Sequence, residues 1–175
     1  MVSTFQNYTR YLVVVLFALF LVACETVPKE SATSTSSTSS TSSTAAVEIK
    51  DGVYVGSDTV EMLAIDVPDR IFFATNKSSL TTASRATLRK QATYLRKNKN
   101  LNVTIEGHAD ERGTREYNLA LGERRANAAK DYLMTYGISS NRISVLSYGK
   151  ERPVDSGSNP LAWSKNRRSV TVKAN

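Results

Sequence analysis

The sequence predicts an α+β fold, a two-layer sandwich in which helices cover one side of a mixed four-stranded sheet. Segments with strand periodicity alternate with two longer segments of helical periodicity, in the order β-α-β-α-β, and a short turn and a last strand follow. Apolar residues make up 41% and charged residues 22% of the chain, a composition typical of a globular domain. The length of 175 residues leaves room for one such domain with appendages.

The first strand and the first long helix are predicted in the middle of the chain. Arg70–Ala74 is rich in β-branched and aromatic residues, which favours a strand. Either Ser79 or Thr81 can cap a helix that runs to about Asn98. The apolar residues on one face of this helix are Leu88, Ala92 and Leu95.

The second half of the domain repeats this alternation. Leu101–Glu106 alternates between apolar and polar residues, which predicts a strand, and a polar loop follows from Gly107 to Glu116. A second helix is predicted from about Tyr117 to Tyr136, with Gly137 as its left-handed terminator. The remaining predicted elements are a strand at Arg142–Tyr148, a turn at Asn159–Asn166 and a strand at Ser169–Val172.

The N-terminal 23 residues have the pattern of an export signal. Arg10 supplies a positive flank, and Tyr11–Ala23 is a 13-residue apolar run. A bilayer-spanning helix needs roughly 20 such residues, whereas a signal sequence needs about 7–15. The run ends at Leu21-Val-Ala-Cys24, which resembles the bacterial lipobox, so Cys24 is predicted to carry the lipid. The alternative is an uncleaved short anchor with an incidental cysteine.

A Ser/Thr-rich segment separates this leader from the domain. Every residue but one between Ser31 and Thr44 is serine or threonine, which is too polar to fold and predicts a flexible linker. A glycosylated stalk is the alternative. Further on, the alternation of Val53 and Val55 predicts a short edge strand. The predicted division is a signal peptide at 1–23, a lipidated N-terminus and linker at 24–65, and a folded domain at 66–175.

The net charge of +7 and the isoelectric point near 9.6 favour an acidic partner. Three such partners are a nucleic acid, an anionic membrane surface and a wall polymer rich in carboxylates. No nucleic-acid partner is predicted, because the sequence has no RNA-binding aromatic signature, zinc-finger spacing or basic helical arm. An anionic membrane surface and a wall polymer remain as the candidate partners.

The loop Gly107–Gly113 and the following helix carry the candidate binding residues. Asp110 follows a strand, and Asn118, Leu121 and Arg125 share a helix face because they are three and four residues apart. We expect Asp110 and Arg125 to face each other across an open cleft. Such a cleft would bind a zwitterion, with its carboxylate on the guanidinium and its ammonium on the aspartate. A structural salt bridge between the two residues, or two solvated charges, is the alternative.

The alternative to a binding protein is an enzyme that hydrolyses the wall polymer. His108 is the only histidine, which is too few for a catalytic zinc with three protein ligands, and no Gly-x-Ser-x-Gly motif accompanies it. The spacing of the loop's acidic residues leaves a catalytic carboxylate pair open. However, Arg112 and Arg115 would hold these carboxylates ionised, whereas a general acid needs a raised pKa. We therefore predict a protein that is not an enzyme and has neither a metal nor another cofactor.

Several separated motifs resemble the OmpA-like C-terminal domain family. The resemblance covers about Asp69 to Val172, and together with the lipobox and the linker it is closest to the lipoprotein members of that family. The motifs are Asn102-Val-Thr-Ile-Glu-Gly-His-Ala-Asp-Glu-Arg-Gly-Thr114, Tyr117-Asn-Leu-Ala-Leu-Gly-Glu-Arg-Arg-Ala-Asn127, Tyr148-Gly-Lys-Glu-Arg-Pro153 and Ser164-Lys-Asn-Arg-Arg168.

This resemblance implies binding of the diaminopimelate residue in the peptidoglycan stem peptide. The family's loop aspartate falls on Asp110 and takes the ammonium, and its helix arginine falls on Arg125 and takes the α-carboxylate. The same pattern places Asn118 and Leu121 at the rim of the groove. It also implies an outer-membrane lipid anchor on Cys24, a domain in the periplasm, and partners among the periplasmic proteins of the Tol system.

One segment departs from the family pattern. Many relatives have an aromatic residue and acids after the first strand, whereas here Thr75 replaces the aromatic residue and Ala74 removes an acid. The residues predicted as a possible groove wall are Phe73, Thr75, Asn76 and His108.

Two basic runs lie outside this groove. Lys165–Arg168, next to Trp163, is interpreted as a solvated turn whose arginines pair with acids across the sheet, with a partner surface as the alternative. The run on the first helix is interpreted as a solvated face, with attraction of an anionic wall as the alternative. Its members are Arg89, Lys90, Arg96, Lys97 and Lys99.

Overall fold

The structure, a computed structural model, describes residues 49–174. The predicted signal peptide at 1–23, the lipidation site Cys24 and the Ser/Thr-rich part of the linker lie outside the described residues. Regular structure is already present at Ile49, before Asp66, at which the sequence predicts that the domain starts. Among the described residues, no helix has the length and apolar composition needed to cross a membrane.

The described part of the chain contains eight strands and three α-helices. The strands are β1 (Ile49–Lys50), β2 (Val53–Tyr54), β3 (Met62–Ala64), β4 (Val67–Pro68), β5 (Arg70–Phe72), β6 (Val103–His108), β7 (Ile143–Gly149) and β8 (Arg168–Lys173). The helices are α1 (Thr82–Lys97), α2 (Arg115–Thr135) and α3 (Pro160–Asn166), and a short 3-10 helix, Ser140–Arg142, precedes β7.

Four strands form the mixed sheet, in the order β5-β8-β6-β7. Strand β8 is antiparallel to both of its neighbours, whereas β6 and β7 are parallel. A parallel pair needs a crossover connection, which α2 provides by crossing one face of the sheet. The prediction of an α+β sandwich with a mixed four-stranded sheet is confirmed.

Two small hairpins precede this sheet. Strands β1 and β2 are joined by Asp51 and Gly52, which both have positive φ values, of 52° and 72°. An Asp-Gly pair is favoured in such a two-residue turn because both positions need the left-handed region. Val53 therefore lies in a strand with one pairing partner, as an edge strand does, but β2 ends at Tyr54, before Val55, and belongs to this hairpin and not to the four-stranded sheet.

Both long helices begin at threonine caps. The Thr81 hydroxyl accepts a hydrogen bond from the backbone N–H of Ser84 at 3.1 Å and starts α1, as the sequence predicts. The Thr114 hydroxyl does the same for Tyr117 at 3.2 Å, so α2 begins two residues before the predicted start. Gly137 has the left-handed φ of 81° that its predicted role as terminator requires.

The helices α1 and α2 and one face of the sheet enclose the main core. Apolar residues from both helices and from β5, β6 and β7 meet there, and their closure around one core is the property of an independently folding domain. The buried residues of this core are Ile71, Phe73, Leu88, Ala92, Leu95, Val103, Ile105, Ala126, Ala129, Leu133, Ile138 and Ile143.

Two glycines bring α2 directly against the backbone of β6. A Cβ atom added at Gly107 would overlap the carbonyl oxygen of Gly122, and one added at Gly122 would lie 2.8 Å from the carbonyl oxygen of Gly107 and overlap the Ser147 hydroxyl. That hydroxyl donates to the Leu119 carbonyl at 2.7 Å, so it is not free to move away. This close contact sets the first turns of α2 beside the loop that follows β6.

We expect Gly122→Ala to lower the free energy of unfolding by about 1–3 kcal/mol, because the added methyl group forces α2 away from β6. Denaturant unfolding of the variant and the wild type measures this. The matched control is Glu123→Ala at the exposed neighbouring position, which should change stability by less than about 0.5 kcal/mol. Equal stability of Gly122→Ala and the wild type would contradict the close contact.

Candidate functional site

The residues predicted to bind a ligand lie at the end of the sheet where β6 terminates. The loop Ala109–Thr114 leaves β6 there and leads into α2, and the segment Phe73–Lys77 leaves β5 at the same end. The backbone N–H of Ala109 donates to the carbonyl of Gly149 at 2.7 Å, which ties this loop to the end of β7. The loop after β6, the segment after β5 and the end of β7 therefore meet at one place.

Asp110 is the anionic centre of this site. Arg112 donates to its two oxygens at 3.1 and 2.7 Å, and Arg167 donates to the second oxygen at 3.2 Å. Burial of the carboxyl raises its pKa, but the hydrogen bonds from Arg112 and Arg167 outweigh burial, so the pKa of Asp110 lies below its ordinary value. The carboxylate is therefore ionised at neutral pH.

Arg167 is a site residue that the sequence interpretation missed. Besides its contact with Asp110, it donates to the carbonyl of Phe73 at 3.1 Å and to that of Gly52 at 2.6 Å. The prediction that Lys165–Arg168 is a solvated turn was wrong, since all four residues are buried. The part of that interpretation in which an arginine pairs with an acid holds for Arg167. The signal was present in the sequence, because Arg167 lies in the last of the family motifs.

Arg125, in the middle of α2, is fully buried beside this site. Its guanidinium donates to three backbone carbonyls, those of Lys77 at 2.9 Å, His108 at 2.7 Å and Ala74 at 3.2 Å. The pKa of Arg125 is lowered to about 10, by burial first and then by the charge of Arg167, while the charge of Asp110 opposes both effects. The group still carries its charge at neutral pH, yet among the described residues no carboxylate forms an ion pair with it.

The expectation of an open cleft between Asp110 and Arg125 was wrong, because the two residues are only 7% and 0% exposed. The reason is the segment after β5, which turns at Asn76 with a positive φ of 55° and directs two of its carbonyls at the guanidinium. The alternative, a salt bridge between the two residues, is not present either. The carboxylate and this guanidinium therefore lie near each other, each with other partners.

Asn118 and Leu121 share the helix face with Arg125 but are not an exposed rim. Asn118 is 1% exposed, and its side-chain amide donates to the carbonyl of Arg112 at 2.9 Å. Leu121 is 3% exposed. In this structure Asn118 positions the loop that carries Asp110, and Leu121 is a buried residue of the same helix.

The four residues predicted as a groove wall are divided between two faces of the sheet. Phe73 is buried, and its ring lies 5.3 Å from the Arg125 guanidinium carbon, while Thr75 and Asn76 are exposed. The imidazole of His108 lies on the face opposite the long helices, with its centroid 5.5 Å from that of Tyr148. Only the backbone carbonyl of His108 reaches the site.

A rim of polar and aromatic residues extends from Asp110 to α3. The indole N–H of Trp163 donates to Glu111 at 2.8 Å, and the Ser158 hydroxyl donates to the same carboxylate at 3.1 Å. These hydrogen bonds, that of Trp163 first, lower the pKa of Glu111. The guanidinium of Arg112 lies 4.3 Å from the centre of the Trp163 ring, between the indole and Asp110.

The balance of charge in this site favours an anionic ligand group. Arg112 and Arg167 donate to one buried carboxylate, a third guanidinium group, that of Arg125, lies nearby, and Glu111 is held by Trp163 and Ser158. Both acids have lowered pKa values, which is the opposite of what a general acid needs. Within residues 49–174, no group of three potential ligands could hold a metal ion.

Comparison with known proteins places these motifs in one family. Residues 72–167 match the OmpA family. The chain is 56% identical over 108 residues to a protein named peptidoglycan-associated lipoprotein from Rhizobium meliloti, and 52% identical over 108 residues to its namesake from Mesorhizobium japonicum. The first alignment covers 62% of this chain and 61% of the relative, so it spans about three fifths of that protein.

The fold has a counterpart among solved structures. The crystal structure of the peptidoglycan-associated lipoprotein from Burkholderia pseudomallei matches with a TM-score of 0.59 and 36% sequence identity. The match covers 61% of this chain and 90% of that chain.

The buried imidazole of His108 makes the stability of the domain depend on pH. Burial, followed by the charges of Arg168, Arg152 and Arg70, lowers the pKa of His108 to about 3 from its ordinary 6.5. The unfolded chain thus binds a proton near pH 6.5 that the folded chain does not bind until about pH 3. The stabilisation is complete above pH 6.5 and is lost as the pH falls below it.

We expect the free energy of unfolding to fall by about 2 kcal/mol between pH 7 and pH 5 on account of His108. Urea unfolding at the two pH values measures this loss, and His108→Gln should remove most of it. The comparison is specific because the chain has no other histidine. A wild-type stability that does not change over this range would contradict a neutral buried imidazole.

Proposed function

This chain belongs to the OmpA family, and we propose that it is an outer-membrane lipoprotein whose periplasmic domain binds peptidoglycan non-covalently. Its ligand would be the diaminopimelate residue of the stem peptide. The observation that carries the proposal is Arg125, a buried cation beside Asp110 whose hydrogen bonds, among the described residues, all go to neutral carbonyl groups. The names of the relatives and the charge balance of the site support the same ligand class.

The carboxylate of the ligand would bind to Arg125. A carboxylate forms shorter and stronger hydrogen bonds with a guanidinium than a neutral carbonyl does, and it can accept two in parallel. To reach the guanidinium, it would displace the carbonyls of Ala74 and Lys77, which belong to the turn at Asn76. The carbonyl of His108 lies at the end of β6 and can keep its bond.

The ammonium of the ligand would bind to Asp110, where it competes with Arg112. The side chain of Arg112 is 42% exposed, whereas that of Arg167 is only 4% exposed, so Arg112 is the partner that can leave. Asp110 would then keep one fixed guanidinium and accept the ligand's ammonium as the second cation. The lowered pKa of Asp110 keeps the carboxylate charged for this exchange.

This chemistry supports a binding protein more than an enzyme. Acid catalysis by Asp110 or Glu111 would need a carboxyl group that is protonated near neutral pH, and both groups are held ionised. Binding needs only the fixed charges. Each charge-assisted hydrogen bond contributes about 1.5–3 kcal/mol, and a few of them give roughly micromolar to millimolar affinity at one site.

A lipid anchor and a flexible linker would complete this function. The lipobox ending at Cys24 and the name lipoprotein among the relatives support a lipid anchor, and the Ser/Thr-rich linker would let the domain reach the wall. Many weakly binding copies on one polymer would hold the membrane to the wall and still allow exchange during growth. By family resemblance, periplasmic Tol-system proteins are proposed as partners and cell division as a context.

We expect Arg125→Lys to weaken sedimentation of the soluble domain with purified wall sacculi by at least about tenfold, because lysine lacks the planar fork. The matched control is Arg124→Lys, the exposed neighbour of the same type, which should sediment as the wild type does. Thermal unfolding of both variants verifies that they are folded. Wild-type sedimentation of a folded Arg125→Lys variant would argue against the site.

The ligand itself is tested by titrating the unaltered domain. A stem peptide with diaminopimelate should bind more tightly than its lysine counterpart, because only diaminopimelate has the additional carboxylate beside the ammonium. Chemical shift changes observed by NMR should concentrate at the Asp110 loop and the turn at Asn76. Equal affinity for both peptides would remove diaminopimelate as the ligand.

The lipid anchor is tested at Cys24. We expect Cys24→Ser to leave the precursor without lipid, because serine has no thiol to carry the diacylglycerol. Mass spectrometry of the membrane fraction should find the acylated N-terminal cysteine in the wild type only. An unmodified mature N-terminus in the wild type would contradict the anchor while leaving wall binding unaffected.

A further inference from the structure

The helix α1 carries several cations and no acidic residue. Between residues 71 and 105 the chain has seven lysine and arginine residues and no aspartate or glutamate. Five of the seven lie toward the C-terminal end of α1 or just after it, and all five are exposed. We call these five residues the basic face; they are Arg89, Lys90, Arg96, Lys97 and Lys99.

Two adjoining clefts lie along the basic face. The first has a volume of about 700 Å³ between α1 and the loop after α2, and its charged lining residues are all cations. They are Arg96, Lys97, Lys99 and Arg142. The second has a volume of about 650 Å³ and is lined by Arg89, Lys90 and Lys97 against a single acid, Asp66. The clefts share Thr93 and Lys97, so they form one continuous surface.

Stabilisation of the helix accounts for only part of this charge. Cations in the last turn of a helix interact favourably with its terminal carbonyls. Arg142 already donates to the carbonyls of Asn98 and Leu101, at 2.8 and 2.6 Å, just beyond the end of α1. Arg89 and Lys90 lie two turns before that end, where the effect has decayed, and no ion pair involves any residue of the basic face within the described part of the chain.

An exposed apolar residue lies next to these cations. Ile65 is at the tip of the turn between β3 and β4, is 92% exposed and lines the second cleft. Met62, in the same hairpin, is 62% exposed. An apolar side chain at a turn tip with cations beside it is the composition of a surface that binds at the interface of a membrane.

We propose that the basic face and Ile65 dock the domain onto an anionic lipid bilayer. The cations contact the phosphate groups of the lipids, and the Ile65 side chain enters the boundary between headgroups and acyl chains. The presence of Ile65 favours a bilayer over a soluble polyanion, because an anionic polymer would leave this side chain in water.

The basic face and Asp110 lie near opposite ends of strand β6. Arg142 bonds to the carbonyl of Leu101 at the start of β6, whereas Asp110 follows the end of β6. The six residues of the strand separate the two sites by about 20 Å. A domain that binds wall through the Asp110 end would thus direct its basic face away from that contact. This orientation rests on the proposed function, whereas the docking itself does not.

The experiment measures binding of residues 43–175, which lack the lipid, to vesicles by flotation. Binding is expected to vesicles of phosphatidylglycerol mixed with phosphatidylcholine, and not to phosphatidylcholine alone. Each cation near an anionic surface increases partitioning about fivefold, so the variant Arg96→Gln/Lys97→Gln/Lys99→Gln should bind on the order of 100-fold more weakly. Ile65→Ser should lower binding about tenfold, with little change in its salt dependence.

The matched control neutralises three cations outside the basic face, Lys50→Gln/Arg124→Gln/Lys130→Gln, and should retain most of the binding. Equal losses in both triple variants would overturn the proposal, because net charge alone would then explain binding. Absence of binding to anionic vesicles would also overturn it. Loss of wall sedimentation in the Arg96/Lys97/Lys99 variant, with no vesicle binding by the wild type, would assign the basic face to the wall instead.

The two proposals fail independently. Arg125→Lys should keep vesicle binding while losing wall sedimentation, and the variant of the basic face should do the reverse. A failure of Arg125→Lys to affect sedimentation would count against the wall site only.

Discussion

The buried carboxylate of Asp110, shared by two guanidinium groups, determines how this end of the domain is assembled. Through Arg167 it is linked to the carbonyls of Phe73 and Gly52, so one side chain connects the loop after β6, the end of β5 and the first hairpin. A buried guanidinium needs a partner for each of its donors, because an unpaired charge in the interior is costly. These three segments and the residues that carry Arg167 therefore have to come together for its side chain to be buried.

This requirement explains the supports around the loop. Asn118 and Lys150 both donate to its backbone carbonyls, at Arg112 and Gly113 respectively, and Gly107 lets α2 approach closely enough for Asn118 to reach. A binding site for a small charged group needs such supports, because charges that are fixed in advance lose less entropy on binding. The loop is polar and would be mobile without them. Asn118, Lys150 and Gly107 therefore help to fix the conformation of this loop.

The sequence predicts most of the fold because its local signals agree with one another. The apolar stripe of α1, the cap at Thr81 and the terminator at Gly137 each depend on neighbours a few residues away. Prediction from the sequence fails where the interacting residues are far apart along the chain. Arg167 is 57 residues from Asp110, and nothing in its local pattern distinguishes a buried arginine from a solvated one. The burial of Arg125 against the segment after β5 was missed for the same reason, since its acceptors at Ala74 and Lys77 precede it by 51 and 48 residues.

The charge of Arg125 is the feature that a purely structural role leaves unexplained. Its three acceptors need more N–H donors than the two of a neutral amide, so the guanidinium fits them, but it also places a positive charge in the interior. The charge is disfavoured by burial and by the neighbouring Arg167, and both effects lower the pKa of Arg125. A carboxylate bound at this position would offset both penalties at once. Under the proposed function, the interior cation is half of an ion pair whose other half the ligand would bring.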